Sequence, residues 1–148
     1  MRKRTFTKLG AVLAIVIGGA VAALGPSVPA LAFFSGGLFL DVQAETPATL
    51  VARGAAVDVP IEVTCNAPTP AGVTVVLTQR VNGGIAQGHG STQVGCTGSH
   101  QRITIRVTAN AAGQAFRAKN AVADSSIFGC NETLCGEEQD STVIKVRR

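Results

Sequence analysis

The four cysteines are the residues whose type and spacing most directly suggest chemistry. Cys65, Cys96, Cys130 and Cys135 form an even set, and no two of them have the Cys-x-x-Cys spacing common in zinc sites. An even number of cysteines in an exported domain predicts disulfides. Three pairings are possible. We favour Cys65–Cys96 with Cys130–Cys135, because the last two are close enough in sequence to close the tip of a hairpin.

The two histidines are the other candidates for catalysis or metal binding. His89 lies between glycines, with Ser91 two residues later, and His100 lies in a predicted turn. A Ser/His/Asp arrangement requires a base that orients the nucleophile, and no nucleophile-elbow motif surrounds Ser91. A site built from histidines and cysteines would also compete with oxidation of the thiols outside the cell. We therefore predict a protein that is not an enzyme and has no metal and no cofactor.

The segment 125–140 is predicted to be a long loop and contains a cluster of carboxylates. Their spacing does not match an EF-hand calcium loop, so we interpret them as a solvated surface; a calcium site or an acidic contact patch are the alternatives. Partner contacts are expected in segments 127–138 and 66–72. The residues expected to touch a ligand or partner are Phe128, Asn131, Leu134 and Glu137.

The N-terminal segment has the three parts of a secretory signal peptide. Residues 1–8 are basic, residues 9–24 are apolar, and Ala30-Leu31-Ala32 matches a cleavage site. We predict a signal peptide at residues 1–32 and one secreted domain at residues 33–148. An uncleaved membrane anchor is the alternative, but the apolar run is short for a span. After cleavage we expect no membrane contact.

The charge balance argues against nucleic-acid binding. The chain has 13 Lys and Arg against 9 Asp and Glu, and the excess of four lies in the predicted signal peptide, so the predicted mature domain is neutral. It also contains no Tyr or Trp for base stacking. The basic isoelectric point of the full chain therefore comes from the predicted signal peptide and does not indicate nucleic-acid binding.

The segment 55–65 organises the predicted fold. Val57, Val59, Ile61, Val63 and Cys65 alternate with polar residues, which predicts a strand with one buried face. Pro60 lies within this strand and cannot donate a ladder hydrogen bond, so we expect an edge or a bulge there.

Further strands are predicted on both sides of this segment. The Asn82-Gly83 pair predicts a tight hairpin turn, and the return strand, which contains three glycines, is expected to be bulged or loosely paired. A later strand is expected to carry Phe116, Ala118 and Val122 on one face, with Arg117 and Lys119 on the other. The predicted strands are 38–45, 49–52, 73–81, 84–94, 102–109, 115–123 and 141–146. Seven or eight short strands predict an all-β, immunoglobulin-like antiparallel β-sandwich.

In this strand pattern and in its Ala/Val/Gly/Thr-rich composition, the whole mature chain resembles small exported immunoglobulin-like proteins of actinobacteria. It lacks the core Trp and corner Tyr of antibody domains. The Cys130-x4-Cys135 segment before the final strand is also similar to that of the neocarzinostatin-type chromophore-binding apoproteins. That resemblance implies a ligand cleft near Phe128 and the loop between these cysteines.

These observations predict a secreted, non-enzymatic module that binds a protein or a cell-envelope component. The alternative is a carrier of an apolar small molecule, as the apoprotein resemblance implies. A second alternative is a hydrolase inhibitor acting through the loop between Cys130 and Cys135. The chain contains neither the Trp-Arg-Tyr triplet of amylase inhibitors nor the Cys-Pro reactive loop of subtilisin inhibitors.

Overall fold

The computed structural model describes residues 37–148, so the predicted signal peptide and residues 33–36 lie outside the described part of the chain. Within residues 37–148, no helix is long and apolar enough to cross a membrane. The described elements are β1 (Leu40–Ala44), β2 (Ala48–Val51), a 3-10 turn (Ala52–Gly54), β3 (Ala56–Cys65), β4 (Ala71–Val81), β5 (Gly84–Val94), β6 (His100–Ala109), β7 (Asn120–Cys130) and β8 (Cys135–Arg147).

Strand pairing runs around a closed ring of seven strands, in the order β3, β6, β5, β4, β7, β8 and β2, while β1 pairs with β3 beside β2. Two contacts in the ring are short, because β5 meets β6, and β2 meets β8, through two residue pairs each. The prediction of an all-β chain with about eight strands and two disulfides is confirmed. The pairing closes a ring, however, instead of leaving the two separate sheets of an immunoglobulin sandwich.

The central strand β3 has the predicted buried face. Val57, Val59, Ile61, Val63 and Cys65 are all fully buried, and they contribute to one apolar core inside the ring. Burial of each such side chain contributes roughly 1.5–3 kcal/mol of transfer free energy. The alternation in the sequence therefore identified the core strand correctly.

Pro60 is not in a bulge, but the other expectation, an edge at this residue, holds locally on one side of β3. It pairs in register with Thr104 of β6. On the other side of β3, β1 pairs only from Ile61 onward and β2 only as far as Asp58. The carbonyl of Pro60 accepts a hydrogen bond from the N–H of Glu45. Pro60 thus lies where β1 has ended and β2 has not begun, and no ladder donor is needed there.

The predicted strand 115–123 is wrong for residues 115–119, and the predicted loop 125–140 is wrong except at residues 131–134. Residues 110–119 form a connection, and residues 120–130 and 135–147 form a long hairpin in unbroken register. Phe116 is buried as expected, but from the connection, where its N–H donates to Gly54 O at 2.9 Å. Ala118 and Val122 are exposed, so the three side chains do not share one face as expected.

Gln79 holds this connection against the end of the ring. Its side chain is buried, and its amide nitrogen donates to the carbonyl of Arg117 at 2.9 Å while its oxygen accepts from the Arg117 N–H at 2.7 Å. A buried amide with both ends satisfied adds specificity without an unpaired polar group. This contact positions Phe116, whose buried side chain completes the apolar core at that end.

The glycines of β5 do not loosen the strand, contrary to the expectation from the sequence. β5 pairs with β4 through eleven consecutive residue pairs without a bulge. A Cβ atom on Gly88 would overlap the carbonyl oxygen of Thr108, and one on Gly90 would overlap that of Arg106. These glycines therefore allow the main chain of β5 to lie directly against β6, which closes the ring on that side.

Both predicted disulfides are present. Cys65–Cys96 joins the end of β3 to the β5–β6 connection across 31 residues, and Cys130–Cys135 closes the β7–β8 hairpin across 5 residues. All four cysteines are therefore used, and the described chain contains no free thiol.

Candidate functional site

The tip of the β7–β8 hairpin is a rigid platform. Cys130 and Cys135 are the last pair of the ladder and are also joined by a disulfide. Within the loop, the side-chain oxygen of Asn131 accepts hydrogen bonds from the N–H groups of Thr133 at 3.0 Å and Leu134 at 2.8 Å. Such an Asx turn fixes the loop conformation, and Leu134 remains 56% exposed.

Phe128 lies two residues before Cys130, on the outer face of β7. It stands opposite Glu137 of β8 and Gly72 of β4, and the side chain is 53% exposed while its neighbour Ile127 is fully buried. The buried neighbour anchors the strand, and the missing side chain at Gly72 leaves one flank of the phenyl ring open.

Phe39 is a further exposed apolar side chain at this end, although sequence reasoning did not select it. Its N–H donates to the side-chain oxygen of Asn66 at 2.6 Å, and the amide nitrogen of Asn66 donates to Gly37 O at 2.8 Å. Asn66 thereby holds the segment before β1 in place, with Phe39 54% exposed. A phenylalanine on the polar side of a predicted strand was the signal that could have identified it.

A groove of about 460 Å³ lies between this segment and the start of β8. Its floor is built where Leu38 and Leu40 pack against Gly136. The lining residues are Leu38, Phe39, Leu40, Asp41, Leu134, Gly136, Glu137 and Glu138. We call Phe39, Phe128, Leu134 and Glu137 the hairpin-tip surface.

The four residues predicted as partner contacts have two different roles here. Leu134 and Glu137 line the groove, and Phe128 stands across the ladder from Glu137. Asn131 instead shapes the loop, because its side-chain oxygen is occupied by hydrogen bonds within it. The segment 66–72 supports the tip, where the Thr69 hydroxyl donates to Cys130 O at 3.2 Å.

Charge is divided between the two ends of the ring. Carboxylates gather near the hairpin tip and take part in none of the ion pairs found within residues 37–148; they are Asp41, Glu132, Glu137, Glu138 and Asp140. At the other end, Arg53, Arg117 and Arg148 line one basic pocket, and Lys145 stands opposite Asn120 at the start of β7. A partner of the tip therefore meets apolar side chains surrounded by negative charge.

The ion pairs of the described chain lie on the β3–β6 side. Arg106 donates to both carboxylate oxygens of Asp58, at 2.7 and 2.9 Å. This hydrogen bonding holds the pKa of Asp58 below its usual value. Arg102 pairs with Glu45 on the same surface. These contacts link strands and involve none of the carboxylates near the tip.

The two histidines are separated and occupy exposed strand positions. His100 has its Nδ1 atom 3.0 Å from the Thr64 hydroxyl and 2.8 Å from a carboxylate oxygen of Glu62. His89 is exposed on β5, opposite Val76. In the part of the chain that is described, no three His, Cys, Asp or Glu side chains are grouped to hold a metal ion.

Comparison with known proteins adds little to this description. No protein-family model matches the chain, and no curated protein is similar to it. Among solved structures, the chain is similar to AggA, the major subunit of the aggregative adherence fimbriae type I of Escherichia coli, at 14% identity. That match has a TM-score of 0.34 and covers 74% of this chain and 94% of the fimbrial chain.

Proposed function

We propose that this chain is a secreted, non-enzymatic module that binds a protein or cell-envelope component through the hairpin-tip surface. The observation that carries the proposal is the exposure of three large apolar side chains on rigid supports at one end of the ring. Phe39, Phe128 and Leu134 are 54%, 53% and 56% exposed. Exposed apolar groups of this size, with a polar rim, are typical of interaction sites.

The supports of these side chains favour binding energetically. Leu134 is held by a disulfide and an Asx turn, and Phe39 by the hydrogen bonds to Asn66. A surface that is ordered before binding loses less conformational entropy on association, and aromatic anchors carry a large share of interface energy. The carboxylates Glu137 and Glu138 beside the groove favour a partner with an apolar centre and basic groups around it.

The immunoglobulin-like interpretation of the fold and the kinship with actinobacterial proteins belong to this proposal. The two short contacts in the ring, between β5 and β6 and between β2 and β8, support an interpretation as two sheets that touch at their edges. Extracellular location is supported by the signal-peptide pattern of residues 1–32 and by the two disulfides.

The carrier of an apolar small molecule is the second candidate. The groove of about 460 Å³ favours it by size, since ligand pockets typically have roughly 300–1,000 Å³. Its three carboxylates, Asp41, Glu137 and Glu138, disfavour a purely apolar ligand. A hydrolase inhibitor would be a special case of the binding module, with the loop between Cys130 and Cys135 entering the enzyme.

The test compares variants of the tip with a matched variant at the other end. Phe128→Glu and Leu134→Glu each place a charge in the hairpin-tip surface. Ile85→Glu does the same at a residue that is 61% exposed and lies beside the β4–β5 turn. The four proteins, including the unchanged chain, are immobilised and incubated with the secreted and envelope proteins of the source organism, and retained proteins are quantified by mass spectrometry.

We expect at least one protein to be retained by the unchanged chain and by Ile85→Glu, and about tenfold less by both tip variants. Thermal denaturation of each variant confirms that it is folded. If every retained protein binds all four chains equally, or if binding is lost only with Ile85→Glu, the proposal is wrong. A small molecule released from the unchanged chain on denaturation, and absent from the tip variants, would select the carrier.

A further inference from the structure

The end of the ring opposite the hairpin tip contains a pocket that is lined by three arginines. The pocket has a volume of about 360 Å³, and its lining residues are Leu50, Arg53, Arg117, Ala118 and Arg148. They come from the end of β2 and the 3-10 turn after it, from the connection before β7, and from the residue after β8. Among the described residues, no acidic side chain lines this pocket. The fold therefore collects three cationic side chains around one space.

The positive charge at this end is not compensated by carboxylates. Residues 37–148 contain nine Lys and Arg and nine Asp and Glu. Six of the nine cations lie in segments 46–57, 110–123 and 141–148, which contain no Asp or Glu; they are Arg53, Arg117, Lys119, Lys145, Arg147 and Arg148. None of the six takes part in an ion pair found within residues 37–148. Positive charge concentrated in this way attracts anions to the pocket.

Arg117 has a main chain that is held in place on the core side. The buried side-chain amide of Gln79 donates to the Arg117 carbonyl at 2.9 Å and accepts from the Arg117 N–H at 2.7 Å. The preceding side chain, Phe116, is fully buried in the core. Arg117 itself is exposed, so only its side-chain rotamers have to be ordered when a ligand binds. Such ordering before binding reduces the entropic cost of association.

The turn that contains Arg53 packs against the same connection. The N–H of Phe116 donates to Gly54 O at 2.9 Å. A Cβ atom on Gly54 would overlap the carbonyl oxygen of Phe116, so the absence of a side chain lets the two main chains touch. This contact brings Arg53 to the pocket that Arg117 lines.

Arg53 also has a backbone conformation that its residue type disfavours. Its φ is 57°, and that of Ala52 before it is 47°. Both values lie in the left-handed region, which glycine adopts at much lower cost than a residue with a Cβ atom. Strain of this kind is common at functional sites. An arginine at a position that favours glycine therefore indicates a role for its side chain.

The chemistry of the pocket favours a phosphate group over a carboxylate. A guanidinium group is permanently charged and presents its N–H donors in a planar fork that matches phosphate oxygens. At neutral pH a phosphate monoester carries a charge of roughly −1.5 to −2 and has three acceptor oxygens, so it can engage several arginines at once. A carboxylate has one charge and two oxygens. The pocket volume of about 360 Å³ lies near the lower end of the range for small-molecule sites, roughly 300–1,000 Å³.

We propose that this pocket binds a phosphate group, either free or carried by a small ester, with Arg53 and Arg117 as its main donors. Arg148 contributes a third positive charge, and Leu50 and Ala118 form the apolar part of the lining. The site goes beyond the binding proposed for the hairpin-tip surface, since it uses none of the residues of that surface. The 13 residues of β8 separate the two sites.

The test is a titration of the purified protein, with both disulfides formed, followed by two-dimensional amide NMR at constant ionic strength. The probes are inorganic phosphate, glycerol phosphate, glycerol and acetate. Arg53→Gln and Arg117→Gln each remove one guanidinium group. Arg80→Gln is the matched control, because Arg80 is an exposed arginine of β4 that neither lines this pocket nor forms an ion pair within residues 37–148. Arg53→Gly removes the side chain and also relieves the positive φ, so it separates binding from folding.

We expect both phosphate probes to bind saturably, with a Kd of about 1 mM or below, and glycerol and acetate not to saturate. Arg53→Gln, Arg117→Gln and Arg53→Gly should each weaken phosphate binding by about tenfold, and Arg80→Gln should leave it within about twofold. Arg53→Gly should also unfold at a higher urea concentration than Arg53→Gln. Tighter binding of glycerol phosphate than of inorganic phosphate would assign an ester as the natural source, and the reverse would assign the free ion.

Three results overturn the proposal. They are no saturable binding of either phosphate probe up to about 20 mM, an equal loss of binding with Arg80→Gln and Arg117→Gln, and acetate binding as tight as that of phosphate. The hairpin-tip variants alter none of these arginines, so failure of this proposal leaves the proposed function standing.

Discussion

The ring has few ladder hydrogen bonds at two places, between β5 and β6 and along the outer edge of β8. The packing at these two places differs. Between β5 and β6, Gly88 and Gly90 let two main chains touch, and Cys96 ties the following connection to Cys65. Along β8, Gly136 instead receives side chains from β1, and the edge from Cys135 to Val143 has no strand partner among residues 37–148. Glycine therefore brings two main chains together on the β5–β6 side, whereas on the β8 side it makes room for side chains of β1.

This difference leads us to expect that stability and partner binding depend on different sides of the domain. On the β5–β6 side, a disulfide across 31 residues joins distant parts of the chain. On the β8 side, the disulfide spans 5 residues of one hairpin and stiffens only its tip. We therefore expect substitutions on the first side to change the free energy of unfolding, and substitutions on the second to change binding.

The largest contrast is expected from the two disulfides. Replacing both Cys65 and Cys96 by alanine should lower the free energy of unfolding by about 4 kcal/mol, and replacing Cys130 and Cys135 should lower it by about 2 kcal/mol, because loop-closure entropy grows with loop length. Urea denaturation of the three proteins measures both values. An equal or larger loss for the hairpin-tip pair would show that the two sides do not differ in this way.

A smaller effect is expected where the glycines close the ring. Gly90→Val should lower the free energy of unfolding by about 3 kcal/mol, because its Cβ would overlap the carbonyl oxygen of Arg106, a main-chain atom that cannot rotate away. Gly72→Val on β4 is the matched control, since a Cβ there meets nothing within 4 Å. If the two variants unfold at the same urea concentration, the close approach of β5 to β6 is not what closes the ring.

The smallest effect concerns Asp58 on β3. Hydrogen bonding to Arg106 lowers the pKa of the Asp58 carboxyl, so the folded state binds its proton less readily than the unfolded chain does. The stabilisation is fully present above the unfolded pKa of about 3.9 and is lost as pH falls through the folded pKa. Asp58→Asn should therefore be less stable than the unchanged chain at neutral pH, and the difference should shrink in acid.

Denaturation at several pH values measures this difference, with Asp41→Asn as the control. Asp41 is an exposed carboxylate of β1 that forms none of the ion pairs within residues 37–148. A difference for Asp58→Asn that stays constant from neutral to acid pH would contradict the role assigned to the Arg106 contact.

Much of the first half of the fold could be predicted from local pattern. β3 was correct because its alternation between apolar and polar residues is clear, and the β4–β5 turn was correct because Asn82-Gly83 favours positive φ at both residues, as found for Asn82 and Gly83. The β7–β8 hairpin was missed. The first half of β8 is exposed or half-buried on both faces, so it shows no apolar alternation, and its run of acidic residues is equally typical of a loop.

The candidate site was predicted in part. Leu134 and Phe128 were selected because they are apolar residues in a segment that looked exposed, and the structure places both at the hairpin tip. Phe39 was missed, because its proximity to Leu134 depends on β1 crossing over the hairpin, which no local pattern encodes. Asn131 was selected as a contact residue, but its side chain bonds within the loop.

By itself, the sequence determined the all-β class and the central strand, because alternation and turn residues act over a few residues. It favoured the two disulfide pairings that are found, through the short spacing of Cys130 and Cys135, while three pairings remained possible. Only the tertiary structure decided that Phe116 is buried from a connection, that Gly88 and Gly90 close a ring, and that most of the β8 edge has no strand partner within the described residues. Each of these depends on which strands lie side by side. That choice follows from packing and hydrogen bonding between residues far apart in the chain, as between Gln79 and Arg117.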